Sequence, residues 1–197
     1  MKHTRNAAIA GFRTLAVTLA ILGAAGAALA TAPESDIAVR VDIKGEVVNV
    51  DVNLVIPASP REVWDVITDF EHLPNFISNI KSSKVLSRDG NVVRVAQAGR
   101  AGVGLFSFEF QSEREITLTP PEKFESRMIS GNMKRFFGVT RLELAEGKTK
   151  LVYRSEAVPD TWLPPSMGRS FIENETREHY QEIRKEVLKR KSDAAAK

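Results

Sequence analysis

From residue 80 to residue 158 the chain reads as strand after strand with only short turns between, and that succession limits its folds more than any other feature. The segment 80–88 leads into Asp89-Gly90, a dipeptide suited to two-residue hairpins, and 92–99 returns. Phe106, Phe108 and Phe110 alternate with Ser107, Glu109 and Gln111, and the pattern runs on to Leu118 until Thr119-Pro120-Pro121 breaks it. Strands are expected again near 124–130, 136–144 and 150–158, with turns at Gly131-Asn132 and Glu146-Gly147. Connections this short make the six strands antiparallel neighbours, because a parallel crossover needs about a dozen residues or more.

Flanking segments add one more strand and three helices. Val48, Val50, Val52, Leu54 and Ile56 alternate with Asn49, Asp51 and Asn53, and Val39, Val41 and Ile43 with the Lys44-Gly45 turn read as a hairpin partner before them. In Ser59-Pro60-Arg61-Glu62, Ser59 caps a helix, Pro60 fits its first position and Glu62 completes a capping box. Val63, Val66, Ile67 and Phe70 then share one face, with Trp64 beside it. A second short helical piece is expected at 71–77, carrying Leu73, Phe76 and Ile77. Beyond the Pro-containing stretch 159–165 a long helix is expected from 166 to 191, with Glu173/Arg177 and Glu186/Arg190 as i,i+4 pairs. Winding it at about 100° per residue puts Ile172, Thr176, His179, Tyr180, Ile183 and Val187 on one face, polar in its middle. The expectation is an α+β fold: one strand, two short helices and six strands, forming a curved seven-stranded antiparallel sheet wrapped around the long C-terminal helix.

Composition narrows the function. The chain has 197 residues, 43% hydrophobic and 27% charged, which suits one globular domain and argues against disorder. Against 25 Asp and Glu stand 28 Lys and Arg, and the excess of +3 is Lys2, Arg5 and Arg13. From Thr31 onward the charges balance, so the concentrated positive surface that nucleic acid demands is missing. No Cys is present, which removes disulfides, thiolate metal sites and thiol nucleophiles. His3, His72 and His179 are too scattered for a zinc site, and no nucleophile elbow, phosphate loop or zinc-protease motif occurs. Neither a metal nor a cofactor is expected.

Residues 1–30 read as a secretory signal peptide. Lys2, Arg5 and Arg13 form a positive leader, 15–28 is apolar and rich in Gly and Ala, and Ala28-Leu29-Ala30 offers small residues for cleavage. Ala30-Thr31-Ala32 is a second cleavage position. The alternative is an uncleaved inner-membrane anchor, although the run is shorter than the ~20 residues of a span. Residues 31–45 are then an N-terminal extension with an extra strand, 46–191 the domain and 192–197 a disordered tail. The mature protein is expected in an exported, periplasmic location.

Specific residues also carry a family likeness. Ile56-Pro57-Ala58-Ser59-Pro60-Arg61-Glu62-Val63-Trp64 is followed by Asp69-Phe70-Glu71-His72-Leu73-Pro74-Asn75-Phe76. Ser83-Lys84-Val85-Leu86 and the Gly131, Lys134, Gly138 set complete a pattern that resembles the START-like, or SRPBCC, superfamily with the helix-grip fold. Within it the chain is most similar to the coenzyme-Q-binding and polyketide cyclase/dehydrase family, over residues 46–188. The resemblance implies an apolar cavity between sheet and helix that takes one lipophilic molecule, such as a lipid, sterol, quinone or polyketide. The segments 99–104 and 131–134 would gate it. Its lining would come from Phe76, Phe106, Phe108 and Phe110, from Met128, Phe136, Phe137 and Trp162, and from Ile172, Thr176, His179, Tyr180 and Ile183. Two functions follow from the resemblance: binding or transport of such a ligand, or cyclase/dehydratase chemistry in the same cavity. For the second, His179 and Tyr180 are the only candidate acid–base groups.

Each feature also has a plainer reading. A Phe stripe is ordinary core on any half-buried strand, and His179 and Tyr180 at a groove edge would reach water. The glycines of 99–104 join two strands and open no helix, so they are a flexible hairpin loop or a gate and not a dinucleotide site. Arg94, Arg127, Arg141 and Arg154 lie on expected strands, where a cavity-facing Arg would anchor an anionic head group and one on the convex face would simply be exposed; the convex face is the plainer assignment. Solvated faces account for Asp65, Asp69, Glu109, Glu113 and Glu115. The basic cluster Arg184, Lys185, Lys189, Arg190 and Lys191 complements the helix C-terminal dipole or makes transient contact with an anionic membrane. A third function is an interaction module whose interior is solid core.

Overall fold

Gly45, at φ +60°, turns the chain between β1 (Ile37–Lys44) and β2 (Val47–Ile56), which pair antiparallel from Ile37 opposite Leu54 to Lys44 opposite Val47. The structure is a computed structural model that describes residues 37–103, 106–160 and 165–196, with the side chains of residues 101, 103, 106, 108 and 165–167 outside that description. The expected signal segment over 1–30 and its cleavage positions also lie outside it. Because β1 joins the ladder, the sheet has eight strands where seven were expected.

The capping box forms as read: the Ser59 amide donates to Glu62 Oε2 at 2.6 Å, and the Glu62 amide donates to Ser59 Oγ at 3.3 Å. It starts α1 (Pro60–Ile67), whose Val63, Trp64, Val66 and Ile67 are buried. A 3₁₀ turn follows at Phe70–Asn75, shorter than the helix expected over 71–77. Pro74 inside it has no N–H to donate and cannot sustain an α-helical ladder.

The remaining strands are β3 (Ile80–Asp89), β4 (Val92–Val103), β5 (Phe106–Thr119), β6 (Lys123–Gly131), β7 (Met133–Ala145) and β8 (Lys148–Pro159). Sheet order is β1-β2-β8-β7-β6-β5-β4-β3, antiparallel throughout. The β7–β8 turn has positive φ at both central residues, 51° at Glu146 and 73° at Gly147, the pairing that two-residue hairpins favour. At the far rim, β3 carries register shifts at Ile80/Ser82 and Val85/Ser87, and Lys81, Lys84 and Arg88 on it are exposed.

One expectation is corrected between β4 and β5. The glycine-rich stretch 99–104 is strand as far as Val103, paired from Gly99 opposite Phe110 to Val103 opposite Phe106. Gly99 is needed there because a Cβ would overlap the Asn79 carbonyl oxygen and the Phe110 ring. The segment 131–134 is tied to β5: the Gln111 amide donates to Asn132 Oδ1 at 3.0 Å, and Asn132 Nδ2 donates to the Glu109 carbonyl at 2.8 Å.

The chain ends in α2 (Pro165–Ala195), so residues 192–195 of the expected disordered tail are helical. Ala194 and Ala195 are strong helix formers and nothing before them breaks the ladder. Arg169 and Arg177 of α2 donate to the Val41 and Ile37 carbonyls of β1 at 2.8 and 2.5 Å. Arg177 is therefore spent on the sheet edge, and the expected Glu173/Arg177 pair gives way to a tertiary contact. The Glu186/Arg190 pair forms at 2.8 Å, and Arg190 also reaches Asp69 at 2.9 Å. Ile183 and Val187 join Val63, Val66, Leu54, Ile56 and Leu151 in one buried cluster. Each such aliphatic contributes about 1.5–3 kcal/mol relative to exposure.

Candidate ligand pocket

Strand parity decides which side chains face α2. Phe110, Arg114 and Ile116 of β5, Phe136, Gly138 and Thr140 of β7, and Leu151 and Tyr153 of β8 line a pocket of about 300 Å³. Ile67, Phe70 and Leu73 wall it from the α1 side, and α2 contributes Glu175, Thr176, His179, Tyr180 and Ile183. Gly138 keeps the floor open, since a Cβ there would sit 3.1 Å from the Phe136 ring and 3.3 Å from the Tyr153 ring.

The walls are apolar, but a band of polar groups crosses them. Arg114 Nη2 donates to Gln97 Oε1, whose Nε2 donates in turn to Ser83 Oγ at 3.0 Å. The Arg114 guanidinium carbon lies 5.8 Å from the Phe136 ring centroid, within cation–π range. Among the described residues, Arg114 Nε and Ser126 Oγ are buried with no hydrogen-bond partner. The Tyr153 and Tyr180 rings are 5.8 Å apart, and His179 meets Tyr180 edge-on at 5.4 Å. On the neighbouring wall Asn79 Nδ2 donates to Glu175 Oε2 at 3.4 Å.

Burial dominates the protonation states. Desolvation, with the Arg114 cation adding to it, pushes His179 down to about 4, so the imidazole is neutral at pH 7. Burial raises the Tyr153 phenol, and burial together with Tyr153 raises Tyr180 further, so both keep their protons. Desolvation lowers Arg114, but a guanidinium stays charged in any protein setting. At neutral pH the band therefore offers hydroxyl donors, a neutral imidazole and one fixed cation.

Of the expected lining, Phe110, Phe136, Thr176, His179, Tyr180 and Ile183 face the pocket. Four others do not line it. Phe76 is half-buried against the core away from this lining, 5.4 Å from the Arg190 guanidinium carbon, and Phe137 is 47% exposed because its parity is opposite to that of Phe136. Met128 is half-buried opposite Arg114 beside a bulge, and Ile172 packs against the core. The side chains of Phe106 and Phe108 and all of Trp162 lie outside the described residues. Arg94, Arg127, Arg141 and Arg154 are exposed; Arg127 pairs with Glu115 at 2.6 Å and Arg154 with Asp51 at 3.2 Å. Sequence reasoning missed Arg114, Gln97, Ser126, Thr140, Tyr153 and Glu175.

Residues 56–183 match the family described as "Polyketide cyclase / dehydrase and lipid transport". The chain belongs to that family. Membership puts its function among lipid or polyketide ligand binding and cyclase or dehydrase chemistry. Similar solved structures carry the same START-like fold. A STAR-related lipid transfer protein fragment from Xanthomonas axonopodis has TM-score 0.63 at 12% identity, covering 78% of this chain and 94% of that one. A START superfamily protein from Mycobacterium smegmatis has TM-score 0.61 at 14% identity, covering 72% and 97%. The Zhui aromatase/cyclase from Streptomyces sp. R1128 has TM-score 0.60 at 16% identity, covering 73% and 95%. No curated protein matches the chain by sequence.

Proposed function

We propose that this family member binds and carries a single lipophilic molecule in the pocket between the sheet and α2, as an exported protein. The observation that carries the reading is the pocket itself: about 300 Å³, walled mainly by apolar side chains and crossed by a short polar band. Desolvation supplies the affinity. A ligand that buries about 300 Å² of apolar surface gains roughly 7 kcal/mol at about 25 cal/mol/Å², a micromolar Kd before ordering costs. Native mass spectrometry and lipid extraction on gently purified protein test this. A one-to-one lipophilic ligand is the expected result, and consistently empty protein that also refuses fluorescent lipids and quinones overturns it. N-terminal sequencing tests export, with a mature chain beginning at Thr31 or Pro33 expected.

Convergence of His179, Tyr180 and Tyr153 on one pocket favours cyclase or dehydratase chemistry as the second reading. With His179 at about 4, a neutral-pH reaction would draw on it as a weak base and on the phenols as hydrogen-bond donors. Turnover of a polyketide-like substrate that collapses in both His179→Ala and Tyr180→Phe would establish that reading over simple carriage.

A further inference from the structure

We propose that the pocket selects an amphiphile with a carboxylate head group, and that Arg114 is the residue that reads it; this rests on the lipophilic-ligand reading above. Arg114 is a cation placed by β5 parity on the inner face of the sheet, among the apolar walls of the pocket. Among the described residues no ion pair neutralises it. Among those residues its one hydrogen-bond partner is the neutral amide of Gln97, and its Nε has none. Glu175, the acidic residue of the lining, is turned to Asn79 and makes no ion pair with Arg114. The other groups around the band are the neutral imidazole of His179 and the protonated phenols of Tyr153 and Tyr180, which donate or accept hydrogen bonds but bring no negative charge.

A buried lysine or histidine in this position would shed its proton and its cost. Arginine cannot, and no described acidic side chain pairs with it, so an anion that enters would meet an unpaired charge. Water satisfies donors but not the charge. A carboxylate does both, because its two oxygens match the planar guanidinium fork. The apolar walls then take the hydrocarbon part.

Isothermal titration of the purified protein with decanoate, decanol and decyltrimethylammonium, each below its aggregation threshold, holds the tail constant and varies the head. Decanoate should bind about tenfold tighter than decanol, on the scale of one charge-assisted hydrogen bond, and decyltrimethylammonium weakest of the three. Arg114→Gln should bring decanoate down to the level of decanol, while Arg114→Lys keeps part of the preference. If wild-type protein prefers decanoate over decanol by less than about threefold, the head-group proposal is overturned and the lipophilic pocket still stands. Failure of all three probes to bind overturns both. The wild-type comparison needs no variant to fold.

Discussion

His179 refuses a proton that an unfolded chain accepts. Its folded value of about 4, against an ordinary 6.5, means that the unfolded state binds more protons between those limits. The stabilisation is therefore complete above about pH 6.5 and is lost as acidity carries the protein down towards pH 4, approaching about 3 kcal/mol. Urea titrations at pH 7 and pH 4.5 should show wild type losing about 2 kcal/mol more than His179→Gln across that interval. Equal losses would mean the ring titrates normally. Asp69 adds a separate effect at lower pH: burial pushes its carboxyl up, but hydrogen bonds from His72 and Arg190 outweigh this and leave it below the usual range. Gly99 gives a second test at this scale. Its missing Cβ is where the Asn79 backbone and Phe110 ring sit, so Gly99→Ala should cost about 2 kcal/mol or more in denaturant midpoint experiments. Arg114 shows what residue-level reading left out. Phe110, Ile116 and Leu118 share its even parity on one strand, so its inward direction was legible. Arg94, Arg127, Arg141 and Arg154, also strand arginines, are exposed.

Arg169 and Arg177 do for β1 what a ninth strand would otherwise do: they occupy carbonyls on its open side. Arg177→Ala should lower stability by about 1 kcal/mol and speed amide exchange in β1 more than in β5, measured by hydrogen–deuterium exchange. Uniform acceleration across the sheet would contradict a local anchor. Local signals were the legible ones at this level. The capping box at Ser59–Glu62 and the Glu146-Gly147 turn each depend on neighbouring residues, and the structure has them where the sequence put them, while the β3–β4 turn falls on Gly90-Asn91, one residue beyond the expected Asp89-Gly90, because Asp89 still pairs with Val92. The end of α2, the fate of Arg177 and the extent of β4 depend on partners distant in the chain, and periodicity carries no record of those.

With no cysteine to staple it, the domain rests on its core, and on the proposed carrier reading a ligand seated in the pocket adds to its stability. A ligand present at 100 times its Kd adds about 2.7 kcal/mol, which for a domain of this size raises Tm by roughly 5–10 °C. Differential scanning fluorimetry across a head-group series should rank compounds in the same order as titration does. A compound that binds without moving Tm engages the unfolded chain equally or not the pocket at all. The opposite rim of the sheet has a consequence of its own. A second molecule trying to extend the ladder past β3 would meet Lys81, Lys84 and Arg88, and would find two kinks where a fibre needs a straight, unbroken template. Crowding many copies together should thus not lengthen the sheet from one molecule into the next past β3.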